Sequence, residues 1–147
     1  MGPMTMRYAL FCAGLLLATA PALAASSLEV RDGWIRAMPA GIPSGGYFTL
    51  HNNGSMDVVL TGASTPACGS LMLHKSEMTG GMSSMRHVDE VAVPAGGSTA
   101  FAPGGYHLMC MQASSAITPG GRVAVTLSFK DGSTLTVPFA IRNAAGK

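Results

Sequence analysis

The sequence predicts one all-β domain, an antiparallel β-sandwich of Greek-key type. Three observations predict it. Beyond residue 25 no stretch sustains a helical period; short segments rich in β-formers are instead separated by Gly, Pro, Asn and Ser. Lys130-Asp131-Gly132-Ser133 puts Asp-Gly between two alternating segments, the strongest local hairpin signal. About 120 residues suffice to bury one core without staples.

In chain order, strands are expected near Leu28 to Arg36, Gly46 to His51, Asp57 to Ala63, Ser70 to Ser76, Met85 to Val91, Ser98 to Phe101, Tyr106 to Gln112, Val123 to Phe129 and Thr134 to Ile141. His51-Asn52-Asn53-Gly54-Ser55 separates the second and third as a turn whose Asn-Gly suits positive φ. Pro94-Ala95-Gly96-Gly97 and Pro103-Gly104-Gly105 bracket the strand at Ser98 to Phe101. There are no internal repeats and no interdomain linker.

Residues 1–25 read as a secretory signal peptide. Arg7 precedes an apolar run from Tyr8 to Ala18, and Ala22-Leu23-Ala24 matches the A-x-A cleavage pattern. The run is too short for a lasting membrane anchor, and no lipoprotein cleavage pattern surrounds Cys12. The expected mature chain, residues 26–147, is exported to the periplasm. Without Arg7 it has eight basic residues against seven acidic ones, which excludes an electrostatic footprint for nucleic acid or anionic membrane. Two cysteines remain, Cys68 and Cys110. In an oxidising compartment the pair is read first as a disulfide closing about 42 residues and contributing about 3–4 kcal/mol; a reactive or metal-binding thiolate pair is the competing reading.

Methionine and histidine are crowded. Eight methionines fall after residue 25, six of them between Met72 and Met111, and His74, His87 and His107 share that window. Strand alternation puts His107, Met109 and Met111 on one face with Leu108 and Cys110 on the other, and Met72 and His74 opposite to Leu71 and Leu73. Pairing these two strands brings two imidazoles together, and Met85 closes over them from the loop around Gly80-Gly81. Thioethers are soft neutral donors that select Cu(I), and a two-His, two-Met set needs no thiolate. Zinc prefers Cys, His and carboxylate. Against this stands the bland reading of methionine as core filler, which is the better one for Met72, Met78 or Met82 taken singly. His51 beside its turn and His87 beside Arg86 read as solvated side chains.

The spacing resembles that of a known family, the periplasmic copper chaperones called PCuAC. Their signature is a histidine, ten residues, a methionine, twenty-one residues and then His-x-Met; His74, Met85, His107 and Met109 match it at every interval. VRDGWIRAMPAGIPSGGYFTLHNNG, VPAGGSTAFAPGGYHLMCM and VTLSFKDGSTLTVPFAIR are similar to the family's opening, central and closing segments. The resemblance implies a cupredoxin-like sandwich and a Cu(I) site of His74, Met85, His107 and Met109. It also implies copper supply to respiratory oxidases, notably cytochrome c oxidase, the acceptor being an oxidase subunit or another periplasmic copper carrier. The His- and Met-rich tail of some members is missing, so no second, tail-borne site is expected. Cys110 replaces an aliphatic residue, and a Cys68–Cys110 bridge would tie the two ligand-bearing strands together.

Other classes remain. A copper-independent module for adhesion or assembly is the weakest, given the ligand spacing. Copper storage or detoxification fits the same ligands. A blue-copper electron carrier needs a thiolate, and Cys110 points away from His107. Hydrolytic catalysis lacks paired carboxylates or a nucleophile elbow, so the chain is not read as an enzyme.

Overall fold

In the computed structural model, which describes residues 27–147, ten strands form one continuous, curled sheet. They are β1 (Leu28–Arg36), β2 (Ser44–Asn52), β3 (Val58–Ser64), β4 (Cys68–Thr79), β5 (Met82–His87), β6 (Val91–Val93), β7 (Ser98–Phe101), β8 (Tyr106–Ala113), β9 (Arg122–Phe129) and β10 (Thr134–Arg142). The predicted signal peptide lies outside the described residues. No helix among them is long and apolar enough to cross a membrane. The strand order is β5-β4-β8-β7-β2-β1-β10-β9-β3-β6, with β8 also pairing β2.

Apolar side chains of both halves meet in one core. Ile35, Leu50, Leu60, Leu73, Leu108, Val125, Leu127 and Phe139 are all essentially inaccessible to water. The alternation in β2, where every second residue is buried, is the pattern of a strand with one core face. The Asp131-Gly132 hairpin joins β9 to β10 as expected, with Gly132 at φ 84°.

Four features depart from the sequence reading. The sheet is not wholly antiparallel: β1 runs parallel to β10 (Trp34 opposite Ala140), and β7 meets β8 in a parallel bridge. The expected strand Met85 to Val91 is two. β5 ends at His87, because Val88 turns into the core and donates its N–H to the Leu73 carbonyl at 2.9 Å; the chain then crosses to pair β6 with β3. The segment around Gly80-Gly81 is no open loop. Those glycines, at φ 59° and 81°, form a two-residue turn of the I′ kind closing a β4–β5 hairpin, with Thr79 opposite Met82. Finally, neither Asn53 nor Gly54 adopts positive φ. Buried Asn52 shapes that turn instead: its amide donates to the Met56 and Val93 carbonyls at 2.8 and 3.2 Å, and its oxygen accepts from Gly54 N–H at 3.0 Å.

Cys68 and Cys110 form a disulfide, which removes the thiolate reading. It joins the start of β4 to the middle of β8, beneath the face described next.

Candidate metal centre

β5, β4 and β8 lie side by side at one end of the strand order. Leu71, Leu73, Leu108 and Cys110 point from β4 and β8 into the core. The intervening residues therefore share the opposite face: Met72, His74, Ser76 and Met78 of β4, His107, Met109 and Met111 of β8, and Met85 and His87 of β5. All four residues of the predicted set are on it.

Register brings the two imidazoles close and sets Met109 and Met85 two rungs from them, on opposite sides. His74 stands directly opposite His107 on β8, with ring centroids 5.8 Å apart and planes tilted by 58°. Met109 follows two places along and faces Met72, while Met85 sits opposite Ser76, two places from His74. Met85 is thus delivered by a strand and not by the connecting loop the sequence suggested; its side chain is exposed. Met85, Ser76, His107 and Met109 line one open cleft of about 420 Å³. Its far wall is Arg36, Met38, Ile42 and Pro43 from the end of β1 and the connection to β2, and Tyr47 and Gly45 of β2 complete it. Gly45 pairs with Met109, and its missing side chain matters: a Cβ there would fall 2.5 Å from the Tyr47 hydroxyl. Tyr47 in turn packs against Trp34 with ring planes tilted by 41°, the Arg36 guanidinium lying over both rings.

The imidazoles are prepared differently. His107 is buried, and its Nδ1 lies 3.2 Å from the Gly105 carbonyl. A carbonyl only accepts, so Nδ1 carries the proton and Nε2 keeps the lone pair that binds metal. The Nδ1 of His74 is buried with no hydrogen-bond partner, as are Arg36 Nε and Ser44 Oγ of the cleft lining. Burial, followed by the charges of His107 and His87, holds the His74 pKa below its ordinary value and favours the neutral ligand form.

His87 is exposed, as the sequence suggested, yet it belongs to the site face. It stands opposite His74 on the other flank, ring centroids again 5.8 Å apart, with Nε2 at 3.2 Å from Asp89 Oδ1. Its place two residues after Met85, on the same face of one strand, was the available signal. His51 lies elsewhere, paired with Glu29 and Ser98. Met82 points to the opposite face of the hairpin, whereas Met78 shares the site face but is exposed near its tip. Among the described residues no three His, Cys, Asp or Glu side chains form a metal-holding group.

Comparison with known proteins places the chain among relatives. The model of a family described as LpqE-like, "Putative lipoprotein LpqE-like", matches residues 28–141. A protein of Leifsonia xyli subsp. xyli, described as "Putative lipoprotein Lxx21020", is 32% identical over 138 residues, spanning 92% of this chain and 82% of that protein. The solution structure of CuI-DR1885 from Deinococcus radiodurans superposes with a TM-score of 0.62 at 32% identity, covering 85% of this chain and 83% of its own. A copper-bound PCuAC domain from PmoF2 gives a TM-score of 0.64 at 20% identity over 80% of this chain and 93% of that domain, a likeness of fold.

Proposed function

The chain belongs to the LpqE-like family, and on that premise we propose that it is an exported Cu(I) carrier whose ion is held by His74, Met85, His107 and Met109. The observation that carries the reading is the direct opposition of His74 and His107 across β4 and β8, with Met109 and Met85 on the same face. The donor chemistry supports it. Two neutral imidazoles and two thioethers form a soft, uncharged set that suits monovalent copper. A Cu(I)-loaded structure of similar fold and 32% identity supports it independently.

In this reading residues 1–25 form the leader and residues 26–147 the copper domain. The lipoprotein descriptions of the family and of the relative agree with export. The cleft explains how a carrier both keeps and yields its ion. His107 is buried and its proton is fixed by Gly105, whereas Met85 lies open at the sheet margin. An acceptor approaching that margin replaces ligands one at a time. The proposed acceptor is a respiratory oxidase copper centre or another periplasmic copper carrier, with storage the alternative fate. Electron transfer of the blue-copper kind is disfavoured, because Cys110 is locked in a disulfide and offers no thiolate.

The test is Cu(I) titration of the mature protein against a competing chelator. Wild type is expected to bind close to one equivalent, with His107→Ala and Met109→Ala each losing it. Unchanged binding in both variants would sink the proposal.

A further inference from the structure

The three imidazoles of the site face form a graded series from solvent inward. The His87 side chain is 55% exposed, His74 is half-buried, and His107 is only 6% exposed. Each neighbouring pair is separated by the same 5.8 Å between ring centroids. His74 stands in the middle of both pairs, opposite His87 on one side and His107 on the other.

We propose that His87 is a capture ligand: copper is first gripped between His87 and His74 at the open edge of the sheet, then passes inward to the set completed by His107. The proposal rests on the Cu(I)-carrier reading above and adds to it a second ion position, with His74 shared between the two.

The geometry fits. An imidazole nitrogen binds a first-row metal at about 2 Å, so two rings holding one ion have centroids no more than about 6 Å apart. Both pairs meet that limit. The protons are also arranged for it. His87 Nε2 lies 3.2 Å from Asp89 Oδ1, a carboxylate that favours a proton on that nitrogen and so a lone pair on Nδ1. His74 Nδ1 has no competing partner to give up. Inward transfer is then a ligand exchange: a bond from copper to His87 nitrogen breaks as one to His107 nitrogen forms. The ion remains Cu(I), no proton moves, and no redox partner is needed. Release runs along the same path in reverse. The Gly80-Gly81 hairpin is what makes the outer position, since it folds β5 back beside β4 and sets His87 opposite His74.

The experiment separates rate from equilibrium. Cu(I) exchange between protein and a chromophoric chelator is followed by stopped flow, and affinity is measured by competition at equilibrium. In His87→Ala, exchange is expected to slow by about tenfold or more, equivalent to about 1.4 kcal/mol of barrier. Its equilibrium affinity should stay within about threefold of wild type, less than the tenfold loss typical of weakening a resident metal shell. Exchange at the wild-type rate would overturn the proposal, and so would a tenfold or larger fall in affinity, which would make His87 a resident ligand. As a second readout, the His107→Ala/Met109→Ala variant, which no longer holds Cu(I) against a chelator, is titrated with substoichiometric Cu(I) in the absence of chelator while ring resonances are followed by NMR. Shifts of His87 and His74 are expected; silence at His87 also overturns it. If wild type itself takes up no Cu(I), the carrier reading fails first, a result distinct from either of these.

Discussion

His74 and His107 face each other directly across β4 and β8, and His74 alone carries an imidazole nitrogen that is buried without a partner. Burial, then the charges of His107 and His87, lower the pKa of His74 below its ordinary 6.5. The folded protein thus favours neutral His74. That contribution to stability is complete above the unfolded-state value and is lost as the pH falls from there through the lowered folded value. Apo protein should therefore lose stability on going from about pH 7.5 to about pH 5, and part of the loss should vanish in His74→Gln. NMR titration of the His74 ring should give a midpoint below 6.5; a midpoint at or above it contradicts the burial argument.

Leucine at Met85 or Met109 removes sulfur while nearly conserving volume, a change that costs less than about 1.5 kcal/mol in a packed site. Met85 is exposed, so Met85→Leu should leave unfolding unchanged. Cu(I) affinity should nonetheless fall by about tenfold or more in each variant, since even outer partners of a metal ligand are worth about that. Chelator competition measures it, and retained affinity would show that the thioethers are packing only.

The Cys68–Cys110 bridge ties together residues 42 apart. Cys68→Ala/Cys110→Ala should lower the free energy of unfolding by about 4 kcal/mol in the chain-entropy account. Denaturant unfolding reads the loss. A change below about 1 kcal/mol would mean that strand pairing already holds β4 against β8 in the unfolded ensemble.

Asn52 is a buried polar group whose three hydrogen bonds hold the β2–β3 turn to Val93. Asn52→Leu leaves the Met56 and Val93 carbonyls and the Gly54 amide without that partner. It should cost about 2–3 kcal/mol, the range for stranded buried polar groups. Copper affinity should not change, because Asn52 ends β2 and lies on none of the strands β4, β5 and β8 that carry the ligands. Urea unfolding and chelator competition on the same sample test both halves.

Local pattern carried much of this into the sequence. The alternation from Leu28 to Arg36 and from Ser98 to Phe101 gave strands with the observed ends, and Asp131-Gly132 marked its hairpin. The interval His74, Met85, His107, Met109 named residues that share one face. What escaped was non-local or hidden by overlap. The parallel β1–β10 pair joins segments about a hundred residues apart, and no local signal encodes it. Met85 to Val91 read as one strand because apolar Val88 and Val91 continue the pattern; only the core contact of Val88 reveals the corner. His87 was set aside beside Arg86 because its neighbour in space, His74, is thirteen residues away in sequence. The Asn-Gly dipeptide misled, since the Asn52 side chain, and not backbone handedness, bends that turn.

β8 is hydrogen-bonded to β4 on one flank and to β2 and β7 on the other, whereas among the described residues β5 has β4 as its sole neighbour in the sheet. The two sides of the cradle therefore differ in firmness. Thermal fraying starts where a strand has one companion, so deuterium should enter the amides of Met82–His87 well before those of Tyr106–Ala113. The molecule loosens its hold from the fingers while the palm stays still, and unloading has a built-in direction that no partner needs to impose.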